Sequence, residues 1–233
     1  HSGSFAEYSK RVLQDPTELD ALYKDLLIGV TRFFRDSEAF EILQRKVIGP
    51  LLDATPPNEE LRVWVAACAT GEEAYSLAML FLEAFEDRGR EPNIKIFATD
   101  VHRDSLQIAS EGSYPEASMV DLSKERLVRF FVPDGNRFRV TNRLRRLLIF
   151  SPHNLIKDPP LTRMNLVSCR NLLIYFQAAA QNKVIGAFHF ALKKQGVLFL
   201  GPSESIGTLE EEFTPLERGW KIEFGIYAFM FLS

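Results

Sequence analysis

The sequence predicts an α/β fold built on a mostly parallel sheet covered on both faces, and three observations lead there. Short apolar runs at 61–67, 94–98, 166–168 and 197–200 are separated by stretches of helical periodicity. Strands alternating with helices at these lengths form parallel sheets, because each crossover helix must bury its apolar stripe on a sheet face. The chain of 233 residues is 46% hydrophobic and 25% charged, which suits one α/β domain with a small attachment.

In order along the chain, Phe5, Tyr8 and Val12 stand at helical spacing, and a second segment runs from Glu18 to Ile28. A further helix begins at Ser37, where Asp36 or Ser37 can cap it, and Phe40, Leu43, Val47 and Leu51 continue along one face. Thr55-Pro56-Pro57-Asn58 stops that helix, so residues 1–57 read as a helical N-terminal part and 58–233 as the α/β domain. The first strand, Leu61 to Ala67, is followed by an amphipathic helix, Glu72 to Glu86, with Leu77, Leu80, Phe81 and Phe85 on its apolar side. Then come the strand Ile94 to Ala98, a helix Asp104 to Ser110, the strand Leu166 to Ser168, a long helix Ala178 to Lys194 closed by Gln195-Gly196, and the strand Val197 to Leu200. Two segments break the rhythm. Arg137 to Val140 and Leu147 to Phe150 read as a small antiparallel element within an insertion near 113–150, and Trp220 to Phe224 with Ile226 to Phe231 as a terminal strand pair.

Composition excludes several classes of function. A net charge of −3 gives no support to a nucleic-acid partner, which would favour a basic stripe. The longest apolar runs, Val63 to Ala69 and Ile226 to Leu232, are too short to span a bilayer. His1-Ser2-Gly3-Ser4 resembles a tag remnant, no charged-then-apolar leader follows, and a cytoplasmic setting is expected. Cys68 and Cys169 read as buried free thiols, and four scattered histidines offer no metal spacing.

Ligands of open α/β sheets sit at the carboxyl ends of the strands. The first such end is Ala66-Ala67-Cys68-Ala69-Thr70-Gly71-Glu72-Glu73, with one glycine where a dinucleotide fingerprint needs three. Two acids at the helix start would repel a pyrophosphate, so a cationic ligand without phosphate fits better. S-adenosylmethionine, with a sulfonium, an ammonium and an adenosine, has that character. Asp100, at the tip of the second strand, is placed to hold a ribose diol. The plainer alternatives are that Glu72 and Glu73 complement the helix dipole and that Asp100 caps a loop.

Six segments then occur in order: Thr31-Arg32-Phe33-Phe34-Arg35-Asp36, Ala69-Thr70-Gly71-Glu72-Glu73-Ala74-Tyr75-Ser76, Ala98-Thr99-Asp100, His153-Asn154-Leu155, Ser168-Cys169-Arg170-Asn171-Leu172-Leu173-Ile174-Tyr175-Phe176 and Gly201-Pro202-Ser203-Glu204-Ser205. Together they resemble the motif series of the chemotaxis receptor glutamate methyltransferase (CheR) family, from about Tyr8 to Phe224. The stretches 28–31 and 188–205 resemble the version fused to a methylesterase. The resemblance implies a Rossmann-like class I methyltransferase sheet, an inserted antiparallel β-subdomain and a helical N-terminal part. It implies S-adenosylmethionine as methyl donor, S-adenosylhomocysteine as product, and a methyl-accepting chemotaxis-type receptor as partner. By the same resemblance Thr31, Arg35, Gly71, Glu73, Asp100, Asn154, Leu155, Arg170 and Asn171 bind the cofactor, and Arg35 and Tyr175 lie nearest the transferring methyl group.

Three departures stand out. Gly29 replaces a common asparagine and removes one side-chain contact; Asn165 stands where the strand often carries an acid, with consequences expected for packing; and the helical part is shorter than the family's. A glutamate acceptor, with a reference pKa of about 4.3, is ionised at neutral pH and needs no general base. Arg35 offers a planar fork for that carboxylate, its bland alternative being a salt bridge to Asp36 or another acid. Tyr175 can donate a hydrogen bond to the same carboxylate, or pack with Phe176 as core. Phe33 and Phe34 read as core or pocket wall, and His153 as a structural hydrogen-bonding residue. The non-enzymatic alternative is a catalytically silent module that binds S-adenosylmethionine as a sensor or docking unit.

Overall fold

A computed structural model describes residues 31–225. The helical segments expected before Thr31 and the strand expected at 226–231 lie outside the described residues. The elements, in order, are α1 (Ser37–Leu43), a π-helical turn (Gln44–Ile48), α2 (Gly49–Ala54), β1 (Leu61–Ala66), α3 (Glu72–Asp87), β2 (Ile94–Asp100), α4 (Arg103–Glu111) and β3 (Ser113–Pro115). There follow α5 (Lys124–Phe130), β4 (Phe131–Asp134), β5 (Arg137–Val140), α6 (Asn142–Arg145), β6 (Leu148–Pro152), β7 (Met164–Cys169), a 3-10 turn (Leu173–Tyr175), α7 (Ala178–Ala191), β8 (Leu192–Leu200), a 3-10 segment (Gly207–Glu212), β9 (Phe213–Glu217) and β10 (Ile222–Gly225).

Seven strands form the main sheet in the order β6-β2-β1-β7-β8-β10-β9. β6, β2, β1, β7 and β8 run parallel, and β10 is antiparallel to both of its neighbours. β1 shows why the sheet is covered on both sides. Leu61, Val63 and Val65 enter one apolar cluster with α1, α2 and α3, whereas Trp64 and Ala66 enter a second cluster with α7. Successive side chains point to opposite faces, so a strand apolar at every second position on both faces needs two layers of helix. α3 is buried nearly all round, with Ala74, Tyr75, Leu77, Ala78, Leu80 and Phe81 at 0–1% exposure, instead of amphipathic.

Two expectations need correction. Leu147 to Phe150 is not half of the small antiparallel element. It becomes β6, a parallel edge strand on β2 with Ile96 opposite Leu148, and the small sheet is β3-β5-β4. The long helix stops at Ala191, because Lys193 and Lys194 already belong to β8. There Gln195 (φ 62°) and Gly196 make the irregularity between Met164 and Leu166 on β7. A Cβ on Gly196 would lie 2.9 Å from the Lys193 carbonyl oxygen, so this crowded bulge takes glycine. Among the described residues the last pair is β9–β10, with most of β10 inside the strand expected at 220–224.

The N-terminal helical stripe shifts by one residue. Phe40, Leu43 and Val47 are buried as the period predicts, but then Leu52, at 0% exposure, replaces Leu51 as the fully buried position. The π turn inserts the extra residue that moves the phase. Pro50 has no N–H to give to the Lys46 carbonyl, which accounts for the wider turn just there. Asp36 takes the N-cap position with φ 61° and makes no capping hydrogen bond, its carboxylate being engaged elsewhere.

Candidate functional site at the strand ends

Because β6, β2, β1, β7 and β8 are parallel, their carboxyl ends share one edge of the sheet, and all six sequence segments meet there or on the adjoining loop. At the end of β1 the chain turns through Ala67 (φ 57°), Ala69 (φ 46°) and Gly71 (φ 96°) before entering α3. Left-handed conformations cost non-glycine residues of order 1–3 kcal/mol each, and such strain gathers where a loop is shaped for a ligand. Gly71 is demanded twice over: its φ is positive, and a Cβ would lie 2.8 Å from the Ala109 Cβ on α4 and 3.1 Å from the Tyr114 Oη. Tyr114 Oη donates to the Thr70 carbonyl at 2.7 Å, so the inserted sheet pins this loop from outside.

Asp100 closes the loop against β2. Its Oδ2 accepts from the Ala69 N–H at 2.8 Å and its Oδ1 from the His102 N–H at 2.9 Å. The capping contacts of the plain reading are therefore present. They do not exhaust the group, since an ionised carboxylate has about four lone-pair sites. Trp64 Nε1 donates to Thr99 Oγ1 at 2.9 Å beneath, and the Trp64 ring packs edge-on to His153 and Phe188. His153 Nε2 lies 3.0 Å from the Pro159 carbonyl oxygen, the structural role expected of it. Asn154 holds the loop after β6: its Oδ1 accepts from the N–H groups of Ile156 and Lys157, while Leu155 packs on the α7-side cluster.

Glu72 and Glu73 open α3 on different errands. Glu72 is buried and accepts from Thr70 Oγ1 at 2.6 Å. Glu73 accepts from Ser168 Oγ at 2.6 Å and has Arg170 Nη1 at 3.8 Å, too long for a hydrogen bond. Burial raises both carboxyls above the usual glutamate range, outweighing the pull of Thr70 on Glu72 and of Arg170 and Ser168 on Glu73. A buried acid whose nearest guanidinium stands beyond hydrogen-bond reach can still accept from a ligand ammonium. Together with the spare acceptor sites of Asp100 this fits a cofactor carrying an ammonium and a ribose diol, and no phosphate.

Arg170 ties the N-terminal motif to the sheet. Its Nη1 donates to the Arg35 carbonyl at 3.0 Å and its Nη2 to Asp36 Oδ2 at 2.7 Å, and the guanidinium lies over Phe40 and Phe199. The residue is 6% exposed but its side chain 0%, so only its main chain can face a ligand. Its guanidinium is a brace between the N-terminal motif and the sheet. From the other side, the Phe34 N–H donates to Ser76 Oγ at 2.9 Å, and Phe33 packs edge-on to Tyr114 and Phe131 as core. Thr31 and Arg35, both half-buried, ride on this pinned loop.

After β7, Asn171 adopts φ 62° and leads into the 3-10 turn that carries Tyr175. Tyr175 is 61% exposed, which rules out the core reading for it. Cys68 and Cys169 are buried free thiols, and burial pushes both well above the ordinary range. Asn165 Oδ1 accepts from the Arg62 N–H at 3.0 Å, a packing tie between β7 and β1. One residue went unread in the sequence: Glu204, whose buried carboxylate accepts three backbone N–H groups. Its only signal was membership of the last segment. Among the described residues no helix is long and apolar enough to cross a membrane.

Comparison with known proteins agrees with this geometry. Residues 29–222 match the family described as CheR methyltransferase, SAM binding domain. A 104.1 kDa protein of Rhodobacter capsulatus is 45% identical over 215 residues, covering 92% of this chain and 23% of that one. A chemotaxis protein methyltransferase of Listeria monocytogenes is 34% identical over 203 residues, covering 87% of this chain and 75% of its own. Chemotaxis protein methyltransferase 1 of Pseudomonas aeruginosa is 36% identical over 189 residues, covering 78% and 68%. The chain thus spans about a quarter of the first relative and some two thirds to three quarters of the others. On the match over 29–222, the chain belongs to the CheR methyltransferase family and carries its S-adenosylmethionine-binding domain.

Proposed function

We propose that this protein is a cytoplasmic protein-glutamate O-methyltransferase that converts glutamate side chains of a methyl-accepting chemotaxis-type receptor to methyl esters. The observation that carries the reading is the meeting, on one sheet edge, of an acid set without phosphate-binding features (Glu73, Asp100) with two loops: the one bearing Arg35, tied down by Arg170, and the one after β7 bearing the exposed Tyr175. S-adenosylmethionine supplies the electrophile, a methyl group on a sulfonium. In this reading residues 58–233 bind it through Glu73, Asp100, Asn154, Leu155, Asn171 and the main chain at Gly71 and Arg170. The part before residue 58 contributes Thr31 and Arg35, and the 104.1 kDa relative suggests further domains, such as a fused methylesterase.

The chain's own task is then positioning. Arg35 holds the acceptor carboxylate by its fork of donors. Tyr175 gives a hydrogen bond to the same group, and the two loops that carry these residues keep them in near-attack geometry, an effect worth roughly 7–11 kcal/mol of a barrier when complete. No group has to remove a proton, because the acceptor is already ionised.

The test is calorimetric titration of S-adenosylhomocysteine into the wild type and Asp100→Ala. The variant is expected to bind at least tenfold more weakly, about 1.4 kcal/mol. The affinity of the wild type should also depend on pH with a definite sign. Because burial raises Glu73, the free protein holds that proton above the ordinary glutamate value of 4.5, and a bound ammonium expels it. Affinity should therefore fall as pH falls through the raised value, and binding there should release protons. In Glu73→Gln that dependence should flatten. Binding unaffected by Asp100→Ala would refute the placement of the cofactor.

A further inference from the structure

The loop after β7 carries two of the proposed site residues, Asn171 and Tyr175, yet the carboxylate that binds its amides comes from beyond β8. Glu204 is 4% exposed. Its Oε1 accepts from the N–H groups of Leu172 at 2.9 Å and Leu173 at 2.7 Å, and its Oε2 from the Gly201 N–H at 2.6 Å. One carboxylate thus serves two loops at once. Gly201 makes the approach possible: a Cβ there would lie 2.8 Å from Glu204 Oε2, 3.0 Å from the Asn171 nitrogen and 3.2 Å from its Nδ2. The Leu172 and Leu173 amides open the 3-10 turn that ends at Tyr175, and among the described residues the side chain that accepts from them is Glu204. Gln181 completes the far end, its Nε2 donating to the carbonyls of Leu173 and Phe176.

We propose that Glu204 is a positioning residue for the methyl-transfer site, setting the left-handed Asn171 and the orientation of Tyr175 by binding the amides of the loop that carries both. This rests on the function proposed above. A carboxylate is required because all three partners are donors, and a buried group of only acceptors satisfies them without a fourth partner. Glutamine is the informative substitute. Its one remaining oxygen can keep the Leu172 and Leu173 pair, while its amide must then face the Gly201 N–H, donor against donor. Aspartate, one methylene shorter, cannot span both loops.

The experiment combines backbone hydrogen exchange at Leu172 and Leu173 with S-adenosylhomocysteine affinity, in wild type, Glu204→Gln and Glu204→Ala. Exchange at both amides is expected to quicken at least tenfold in Glu204→Ala, with affinity at least tenfold weaker, and Glu204→Gln should fall between the two in both readouts. If Glu204→Ala does not fold, Glu204→Gln decides alone, through a loss of at least threefold in affinity with measurable quickening at Gly201. Quickened exchange with affinity within twofold of wild type would reduce Glu204 to a structural tie and overturn the inference. Unchanged exchange would overturn it too. A wild type that binds no S-adenosylhomocysteine refutes the functional reading instead, a result visible before any variant is made.

Discussion

Arg170→Ala is expected to destabilise the protein by roughly 2–4 kcal/mol, somewhat less than the loss of one member of a fully buried ion pair because Asp36 keeps some solvent. The change leaves Asp36 without the guanidinium at 2.7 Å and Glu73 without the one at 3.8 Å. It also frees the Arg35 carbonyl and uncovers the Phe40 and Phe199 rings. Against a total stability of about 5–15 kcal/mol for a typical domain, that is a large share. Urea denaturation of the variant measures it, and a cycle with Asp36→Asn separates the pair from the packing. The double variant should fall short of additivity by at least about 1 kcal/mol. Arg170→Lys should recover little, since a single ammonium cannot reach a carbonyl, a carboxylate and two ring faces together. A loss below about 1 kcal/mol for Arg170→Ala would mean that the Thr31–Asp36 loop is held by its other contacts, among them the Phe34 N–H on Ser76 and the packing of Phe33 and Phe34.

Gly71→Ala is expected to cost about 2–5 kcal/mol, combining roughly 1–2 for a left-handed alanine with roughly 1–3 for overpacking. The overlap is with backbone as well as side chain, for the new Cβ would sit 3.3 Å from the Ala109 Cα as well as 2.8 Å from its Cβ. α4 must therefore move, or the Thr70–Glu73 loop must, and the second displaces Glu73. Ala109→Gly costs about 1 kcal/mol by itself in a helix, yet combined with Gly71→Ala it should relieve the overlap, so the two losses should sum to less than their parts. Strict additivity in denaturation would show that the backbone conformation, and not the contact, sets the requirement for glycine.

How far the sequence could be read follows from the range of each interaction. β1, β2 and α3 were legible because strand and helix periods are local, and Asp100 was legible because it stands at a strand tip. The edge strand β6 was misplaced for a physical reason: a short apolar run looks the same whether it pairs parallel with a distant strand or antiparallel with a near one. The shift from Leu51 to Leu52 needed the π turn, which a period of 3.6 does not contain. Arg170 lies 134 residues from Asp36 along the chain, and a motif that names it as a ligand contact gives no hint that its side chain faces inward. Glu204 was hidden for the same reason, since its partners are backbone amides that any sequence possesses. Tyr175 shows the opposite case: beside Phe176 and Ile174 it reads as core, and only a 3-10 turn at the end of β7 lifts it into solvent.

Methyl transfer to a protein carboxylate can be followed with a labelled methyl group carried from S-adenosylmethionine to a receptor fragment rich in glutamate. Label should enter the fragment, mild alkali should release it as methanol because an ester bond is cleaved, and Arg35→Ala should reduce the transfer by at least tenfold. Label that stays on the protein through alkali would place the methyl group on another atom, and cofactor binding with no transfer would make the chain a sensor that kept the fold.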